Sequence, residues 1–305
     1  MKPEELRNKL QGVIAFPITP FRADNTIDVE GLHKNLQPML RHNVAAVVAA
    51  AGTGELYSLS PAAEHLKVVK AVVQEVNGKV PVIAGAGFNP PIAIEQAKQA
   101  ADAGASGVLA FPPYYPSPDD EGVIAYYKSI GAATPLGLMI YSRDWFAPTP
   151  AMVELLAKEI PTLCVWKDGQ ADLRRYQQIK SRLGDRLHWV GGAGDDMVPG
   201  YYSIGIRAYT SSVSNVAPKL SQKLHELASA STTTGGAELA QLMNDIVIPL
   251  YAMRARRKGY EVAVMKALMD EVGLVGGKVR PPLVDVRPDE REMLKKTVPK
   301  WKEWM

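Results

Sequence analysis

The sequence predicts an α/β fold, a closed (β/α)8 TIM barrel followed by a C-terminal helical extension. Eight short apolar runs recur along the 305 residues, and helical patterns separate them. A doubly wound sheet usually has a Gly-x-Gly-x-x-Gly turn after its first strand, and here the chain reads PITPF instead. We assign residues 1–230 to the barrel and residues 231–305 to an extension that packs on it.

Each predicted strand is a run of β-branched or aliphatic residues. The eight runs cover residues 12–16, 45–50, 80–84, 107–111, 137–141, 163–166, 187–191 and 208–211. Strands that alternate with helices form parallel βαβ units, and eight consecutive units suit a closed barrel better than an open sheet.

Capping residues mark the starts of several helices. Ser60-Pro61 and Thr149-Pro150 each supply an N-cap and a proline for the first helical position, and Asp172 precedes the helical pattern LRRYQQIKSRL. Beyond the eighth strand, helical patterns at residues 237–258, 261–272 and 288–304 form the predicted extension.

The composition excludes several classes of function. The 35 basic and 32 acidic residues are scattered, which gives no footprint for nucleic acid. The charged N-terminus lacks the apolar region of a signal peptide, and no apolar run is long enough to span a membrane. The single cysteine, Cys164, is either a catalytic thiol or a small buried hydrophobe, and its apolar context favours the second. We therefore expect a cytoplasmic protein with a small-molecule ligand.

Unusual residues follow four of the predicted strands. Barrel enzymes place their chemistry in the loops at the C-terminal ends of the strands. The second strand leads into Gly52-Thr53-Gly54, and the fourth leads into Pro-Pro-Tyr-Tyr-Pro. The two glycines either form a tight turn or let backbone amides converge on a carboxylate or phosphate.

Lys167 ends the sixth strand, directly after Cys-Val-Trp. Its ammonium group either extends to the surface or is held in a pocket for chemistry. Tyr141 ends the fifth strand, and neighbouring strands lie about 4.8 Å apart, so both side chains can face one cavity. A desolvated lysine has a lowered pKa and attacks ketones to form a Schiff base. This chemistry needs no metal or cofactor, and the sequence shows no metal-ligand set.

An ordered set of motifs carries a family resemblance. GTGE, PPYY, the tyrosine and lysine that end strands five and six, and Val-Arg-Pro-Pro-Leu at residues 279–283 together resemble the superfamily of N-acetylneuraminate lyase and dihydrodipicolinate synthase. The resemblance implies class I, Schiff-base enzymes on a (β/α)8 barrel that act on 2-keto acids. It also implies a homo-oligomer, usually a dimer of dimers.

The resemblance implies roles for individual residues. Lys167 would form the imine, and Tyr141 would be the general acid and base. Thr53, with the backbone amides around Gly52 and Gly54, would hold the carboxylate next to the keto group. Tyr115 matches a tyrosine that in some members reaches across the tight dimer interface.

Two departures argue against lysine biosynthesis. Dihydrodipicolinate synthases usually have a threonine of a Tyr-Thr-Tyr relay where Gly52 stands here. They have an arginine for the aldehyde substrate where Phe146 stands.

The segments Ala-Gly-Thr-Gly-Glu, Tyr-x-Arg-Asp and Lys-Asp-Gly are more similar to the branch of 5-dehydro-4-deoxyglucarate dehydratases. The loop at residues 191–196 differs from that branch, and its role stays open.

The branch resemblance implies dehydration and decarboxylation of 5-dehydro-4-deoxy-D-glucarate. Arg143 would then hold the distal carboxylate of this diacid, unless it only pairs with Asp144. Ser211 and Ser212 would contact the substrate, unless they only cap their loop. Two alternatives remain: a retro-aldolase or dehydratase for another 2-keto-3-deoxy sugar acid, and a non-catalytic keto-acid-binding protein.

Overall fold

The eight predicted strands form one closed parallel barrel in which neighbours in the chain are also neighbours in space. The computed structural model describes residues 1–230 and 236–305. The predicted boundary between residues 230 and 231 therefore adjoins residues outside the described ranges. The strands are β1 (Gly12–Ala15), β2 (Ala46–Ala49), β3 (Val82–Phe88), β4 (Gly107–Pro113), β5 (Gly137–Ser142), β6 (Leu163–Asp168), β7 (His188–Gly191) and β8 (Ala208–Ser211).

Four strands run further toward the barrel mouth than the sequence predicts, and of these β5 ends at Ser142 and β6 at Asp168. β3 continues to Phe88, and β4 includes Pro112 and Pro113. The predicted run ends at residue 111, before these prolines, and proline has no N–H for a sheet ladder. In the structure Phe88 pairs with Pro113 beyond a local shift in register, which is where a strand tolerates such a residue.

Helices cover the outside of the barrel and continue past β8. They are α1 (Pro3–Lys9), α2 (Val29–Met39), α3 (Ala63–Val76), α4 (Pro90–Asp102), α5 (Asp120–Ala133), α6 (Pro150–Glu159), α7 (Leu173–Leu183), α8 (Val198–Ser203), α9 (Pro218–Ser229), α10 (Gly236–Leu242), α11 (Ile248–Arg254), α12 (Tyr260–Glu271), α13 (Pro288–Lys295) and α14 (Val298–Trp301). None of the helices in these ranges is long and apolar enough to cross a membrane.

Two of the three predicted N-caps are confirmed at the predicted position. The side chain of Thr149 accepts a hydrogen bond from the Met152 amide, and that of Asp172 accepts one from the Arg175 amide. Ser60 also acts as a cap, since its hydroxyl accepts from the Glu64 amide at 3.1 Å. However, α3 begins at Ala63, two residues later than the proline signal indicates.

Apolar side chains fill the barrel below its mouth. Leu6 of α1 and Leu10 belong to the same buried cluster as Ile14 and Met139 and close the N-terminal end of the barrel. Cys164 is buried in this cluster, and burial raises the pKa of its thiol to about 12. It does not line the cavity at the barrel mouth, so it is placed as a small core residue.

The C-terminal extension forms its own apolar cluster against the barrel. Helices α10 and α11 are joined by a π-helical segment, Met243–Val247, and the helical run ends at Arg254 rather than at residue 258. Val264 and Leu268 of α12 are fully buried, and Val213 and Val216 after β8 belong to the same cluster. The extension therefore covers the loop that follows β8.

A buried ion pair joins the extension to the loop after β2. Glu55 of the GTGE motif pairs with Lys266 of α12, and the two side chains are 0% and 1% exposed. The Lys266 ammonium also donates to the Lys278 carbonyl, and the Arg280 amide donates to the Glu55 carboxylate. Glu55 has a left-handed φ of 56°, a strained conformation that these contacts hold. The extension thus fixes the loop that carries Thr53.

We expect Lys266→Met to lower the free energy of unfolding by about 3–5 kcal/mol, because it leaves the Glu55 carboxylate buried without its counter-charge. Urea denaturation measures this change. The matched control is Lys295→Met, at an exposed pair with Glu292, which should leave the midpoint unchanged. Equal, small effects of both substitutions would contradict a structural role for the buried pair.

Candidate active site

A cavity of about 570 Å³ opens at the C-terminal ends of the strands, and we call it the mouth cavity. Its wall includes Thr53, Tyr141, Arg143, Lys167, Ser212 and Arg254. Among the described residues that line it, three are basic (Arg143, Lys167 and Arg254) and two are acidic (Asp144 and Glu261). The two guanidinium groups suit an anionic ligand.

The amine of Lys167 lies at the floor of this cavity, between two aromatic rings. Tyr141 and Lys167 are direct neighbours in the β5–β6 pairing. The Lys167 Nζ atom lies 3.3 Å from the centroid of the Tyr141 ring and 4.5 Å from that of Phe16. The lysine is 3% exposed. Lys167 is the second-last residue of β6, and it places its amine inside the barrel and not at the surface.

Burial lowers the pKa of Lys167 well below its ordinary value, because a desolvated ammonium is disfavoured. The positive charge of Arg143 lowers this pKa further, whereas the Asp168 carboxylate opposes the shift. Burial raises the pKa of the Tyr141 phenol, so the phenol keeps its proton at neutral pH. The pair is an amine with an enhanced neutral fraction beside a phenol that can donate a proton.

Two glycines allow the lysine and tyrosine to pack this closely. A Cβ atom on Gly192 would lie 2.5 Å from Lys167 Cγ, and one on Gly169 would lie 2.5 Å from Tyr141 Cε2. The Gly192 carbonyl accepts a hydrogen bond from the Tyr141 hydroxyl at 3.2 Å. Larger residues at these positions would displace the pair, which gives Gly169 and Gly192 a role that the sequence analysis did not assign.

The loop after β2 presents Gly52 and Thr53 to the mouth cavity. Gly54 is buried behind them, where its carbonyl accepts a hydrogen bond from Thr19. A Cβ atom on Gly52 would lie 3.4 Å from the Nη1 atom of Arg143. The glycine thus leaves room for the arginine.

The sequence left open whether Arg143 faces the ligand site or pairs with Asp144, and in the structure it does both. Its Nε donates to the Asp144 carboxylate at 2.7 Å, and its side chain also lines the mouth cavity. Its guanidinium carbon lies 5.4 Å from the centroid of the Tyr141 ring and 5.8 Å from that of Phe111. Arg143 therefore lies on the lysine side of the cavity with part of its charge already neutralised.

Tyr115 and Phe146 lie away from the cavity wall. Tyr115 is 64% exposed, while its neighbour Tyr114 lines the cavity. Phe146 is buried, and its ring lies 5.4 Å from that of Tyr127 and 6.3 Å from that of Trp166. The position that would carry an aldehyde-binding arginine in dihydrodipicolinate synthases is thus a core residue here.

A buried carboxylate organises the loop after β8. The Asp195 side chain is fully buried and accepts hydrogen bonds from the Ser211 hydroxyl and from the Ser212 and Val213 amides. Tyr251 of α11 also donates to it, at 3.0 Å. Ser211 and Ser212 line the cavity, and both also hydrogen-bond to the Asp195 carboxylate.

Asp195, Tyr251 and Arg254 are residues of the site that the sequence did not reveal. Asp195 lies in the loop at residues 191–196 whose role the sequence left open, and an acidic residue after a barrel strand was the available signal. Tyr251 and Arg254 come from the extension, and no motif marks them. Their approach to the mouth cavity depends on how the extension packs.

Comparisons with known proteins agree with the fold and identify the family. Residues 9–300 match the Dihydrodipicolinate synthetase family. A probable 5-dehydro-4-deoxyglucarate dehydratase from Saccharopolyspora erythraea is 38% identical over 295 residues, which cover 96% of this chain and 94% of the relative. One from Rhizobium meliloti is 34% identical, with 96% and 97% covered.

Solved structures show the same architecture. The dihydrodipicolinate synthase from Oceanobacillus iheyensis superposes with a TM-score of 0.89 at 27% identity, covering 99% of this chain and 100% of that one. The enzyme from Acinetobacter baumannii complexed with pyruvate gives 0.86 at 28% identity, covering 97% and 100%.

The barrel, the family match and these relatives define the class of the protein, a Schiff-base lyase on a (β/α)8 barrel. The chain belongs to the Dihydrodipicolinate synthetase family. The predictions of the family, of the barrel with C-terminal helices, and of an enzyme are confirmed.

We expect Arg143→Gln to shift the low-pH limb of the pH–rate profile for imine formation to higher pH. Imine formation needs the neutral amine, so its rate rises as pH passes through the pKa of Lys167. Removing the Arg143 charge removes one of the causes that lower this pKa. Initial rates of cyanoborohydride trapping with pyruvate across pH measure the limb. The control is Arg256→Gln, which removes a guanidinium that lies outside the cavity. An unmoved limb in Arg143→Gln would contradict the electrostatic coupling.

Proposed function

We propose that this enzyme converts 5-dehydro-4-deoxy-D-glucarate into 2,5-dioxopentanoate, water and carbon dioxide. The observation that carries the proposal is the desolvated Lys167 amine beside the Tyr141 phenol, in a cavity whose wall includes Arg143 and Arg254. The relatives named as probable 5-dehydro-4-deoxyglucarate dehydratases support the choice of substrate.

The first step forms the imine. The neutral Lys167 amine attacks the keto carbon, and the carbinolamine loses its oxygen as water, which leaves a protonated imine. Tyr141 carries the proton to and from the carbinolamine oxygen because its hydroxyl lies at the same cavity floor. Thr53 and the neighbouring amides hold the carboxylate next to the reacting carbon.

The imine then acts as the electron sink for two bond cleavages. Loss of a proton from the adjacent methylene gives an enamine, which expels the β-hydroxyl as water. The resulting conjugated iminium accepts the electron pair of the carbon–carboxylate bond at the far end, and carbon dioxide leaves. Protonation and hydrolysis release 2,5-dioxopentanoate and restore the Lys167 amine, so atoms and charge balance.

Three further residues contact the substrate in this proposal. Arg143, Ser211 and Ser212 line the mouth cavity and offer a guanidinium and two hydroxyls. The Ser211 hydroxyl donates to Asp195 and its oxygen accepts from the Ser214 amide, so a contact with the substrate requires it to exchange one of these partners.

We also propose that the enzyme works in the cytoplasm as a homo-oligomer, a dimer of dimers. Tyr114 and Tyr115 support the oligomer because they expose 85% and 64% of their surface. A partner subunit that covered these rings would bury a large apolar area.

The test is turnover of 5-dehydro-4-deoxyglucarate by the purified protein, followed with an NADP-dependent dehydrogenase that oxidises 2,5-dioxopentanoate. We expect turnover at ordinary enzyme rates, roughly 1–10³ per second. Lys167→Ala should abolish it, and Tyr141→Phe should lower kcat by about 10²–10⁴. Circular dichroism checks that the variants fold.

Three results would overturn the proposal. Turnover by Lys167→Ala would exclude the imine route. Wild-type protein that forms no product from this diacid, but cleaves or dehydrates a 2-keto-3-deoxy pentonate, would reassign the substrate. Wild-type protein that binds keto acids and converts none would mark a binding protein.

A further inference from the structure

The C-terminal extension contributes a guanidinium to the mouth cavity. Arg254 is the last residue of α11, and its side chain lines the cavity wall. Its guanidinium carbon lies 4.3 Å from the centroid of the Tyr251 ring, and its Nη1 donates to the Ser212 hydroxyl at 2.8 Å. Contacts with a ring and a hydroxyl therefore hold the planar group in place.

Some hydrogen-bond donors of this guanidinium have no acceptor among the residues that the structure describes. Within residues 1–230 and 236–305, no carboxylate oxygen lies within 4 Å of Arg254, and its buried Nε has no hydrogen-bond acceptor. Arg143, the other arginine of the cavity, is paired with Asp144. The Nη2 group also has no acceptor within these ranges and is not buried, so it is the donor that a ligand carboxylate in the cavity would pair with.

The nearby carboxylates of Asp195 and Asp196 form no ion pair with Arg254. The Asp195 carboxylate accepts from Ser211, Ser212, Val213 and Tyr251, and it is joined to Arg254 only through Ser212 and Tyr251. Arg254 lowers the pKa of Asp196 against the larger raising effect of burial, but the two side chains form no ion pair.

The two arginines lie against different walls of the cavity. Arg143 lies near Gly52 and over the Tyr141 ring, on the side of Thr53 and the lysine floor. Arg254 lies against Ser212, in the loop after β8. The carboxylate next to the keto carbon must stay close to the imine, so the far end of a six-carbon diacid needs a second cationic contact.

We propose that Arg254, held by Ser212 and Tyr251, forms the subsite for the distal carboxylate of the substrate. The inference rests on the proposed function for the class of substrate, a 2-keto diacid. It makes Arg254 a specificity-determining residue, and it leaves Arg143 for the end of the substrate nearer the imine.

The experiment compares two 2-oxo acids of equal length, 2-oxoadipate and 2-oxohexanoate, which differ in the distal carboxylate. Neither carries the β-hydroxyl that dehydration requires, so imine formation is measured without turnover. Cyanoborohydride trapping on the full-length protein gives the half-saturating concentration of each acid. We expect wild-type protein to prefer 2-oxoadipate.

In Arg254→Gln, the half-saturating concentration should rise about tenfold or more for 2-oxoadipate and change little for 2-oxohexanoate. Arg254→Lys should retain part of the preference. The matched control, Arg256→Gln, removes a guanidinium that pairs with Glu290 outside the cavity, and it should keep the full preference. Trapping of pyruvate at wild-type concentrations shows that the lysine site of each variant is intact.

Three results would overturn the subsite: no diacid preference in wild-type protein, an equal loss for both acids in Arg254→Gln, or loss of the preference in Arg143→Gln alone. The test is separable from that of the proposed function. Selective weakening of 2-oxoadipate, with no turnover of 5-dehydro-4-deoxyglucarate by wild-type protein, would leave the subsite standing and refute the reaction.

Discussion

The burial of one amine at the barrel mouth is the constraint on which the rest of the site depends. An ammonium group enclosed by the rings of Tyr141 and Phe16 lacks most of its hydration, so its neutral form is favoured. The parallel pairing of β5 and β6 fixes its phenol partner. Gly169 and Gly192 provide the space, and Arg143 adds a positive charge that disfavours protonation. Burying an ionisable amine beside a second positive charge lowers the stability of the fold, as is common at active sites.

The C-terminal extension completes this site from outside the barrel. Lys266 holds Glu55, which fixes the loop that presents Thr53. Tyr251 holds Asp195, which organises the loop that presents Ser211 and Ser212. Helices α11 and α12 therefore tie together two loops on different strands. The extension acts as part of the active-site wall as well as a packing layer, and this explains how it can also supply Arg254.

The parts of the structure that follow from local pattern were predictable. Strand β6 and the lysine near its C-terminal end are visible in the sequence because apolar runs and parallel neighbours obey local rules. The cap at Thr149 follows from its own residues. Asp195, Tyr251, Arg254 and Lys266 could not be assigned in this way, since each acts through a partner distant in the chain. The prolines of β4 were misleading because the strand tolerates them only beyond a shift in register.

The most direct test of the imine mechanism is to trap the protein with pyruvate and borohydride and to locate the adduct by peptide mass spectrometry. We predict one modified site, on the peptide that contains Lys167. Lys266 is an internal control because it is equally buried but paired with Glu55. An adduct on Lys266 or on surface lysines, with Lys167 unmodified, would contradict the assignment of the reactive amine.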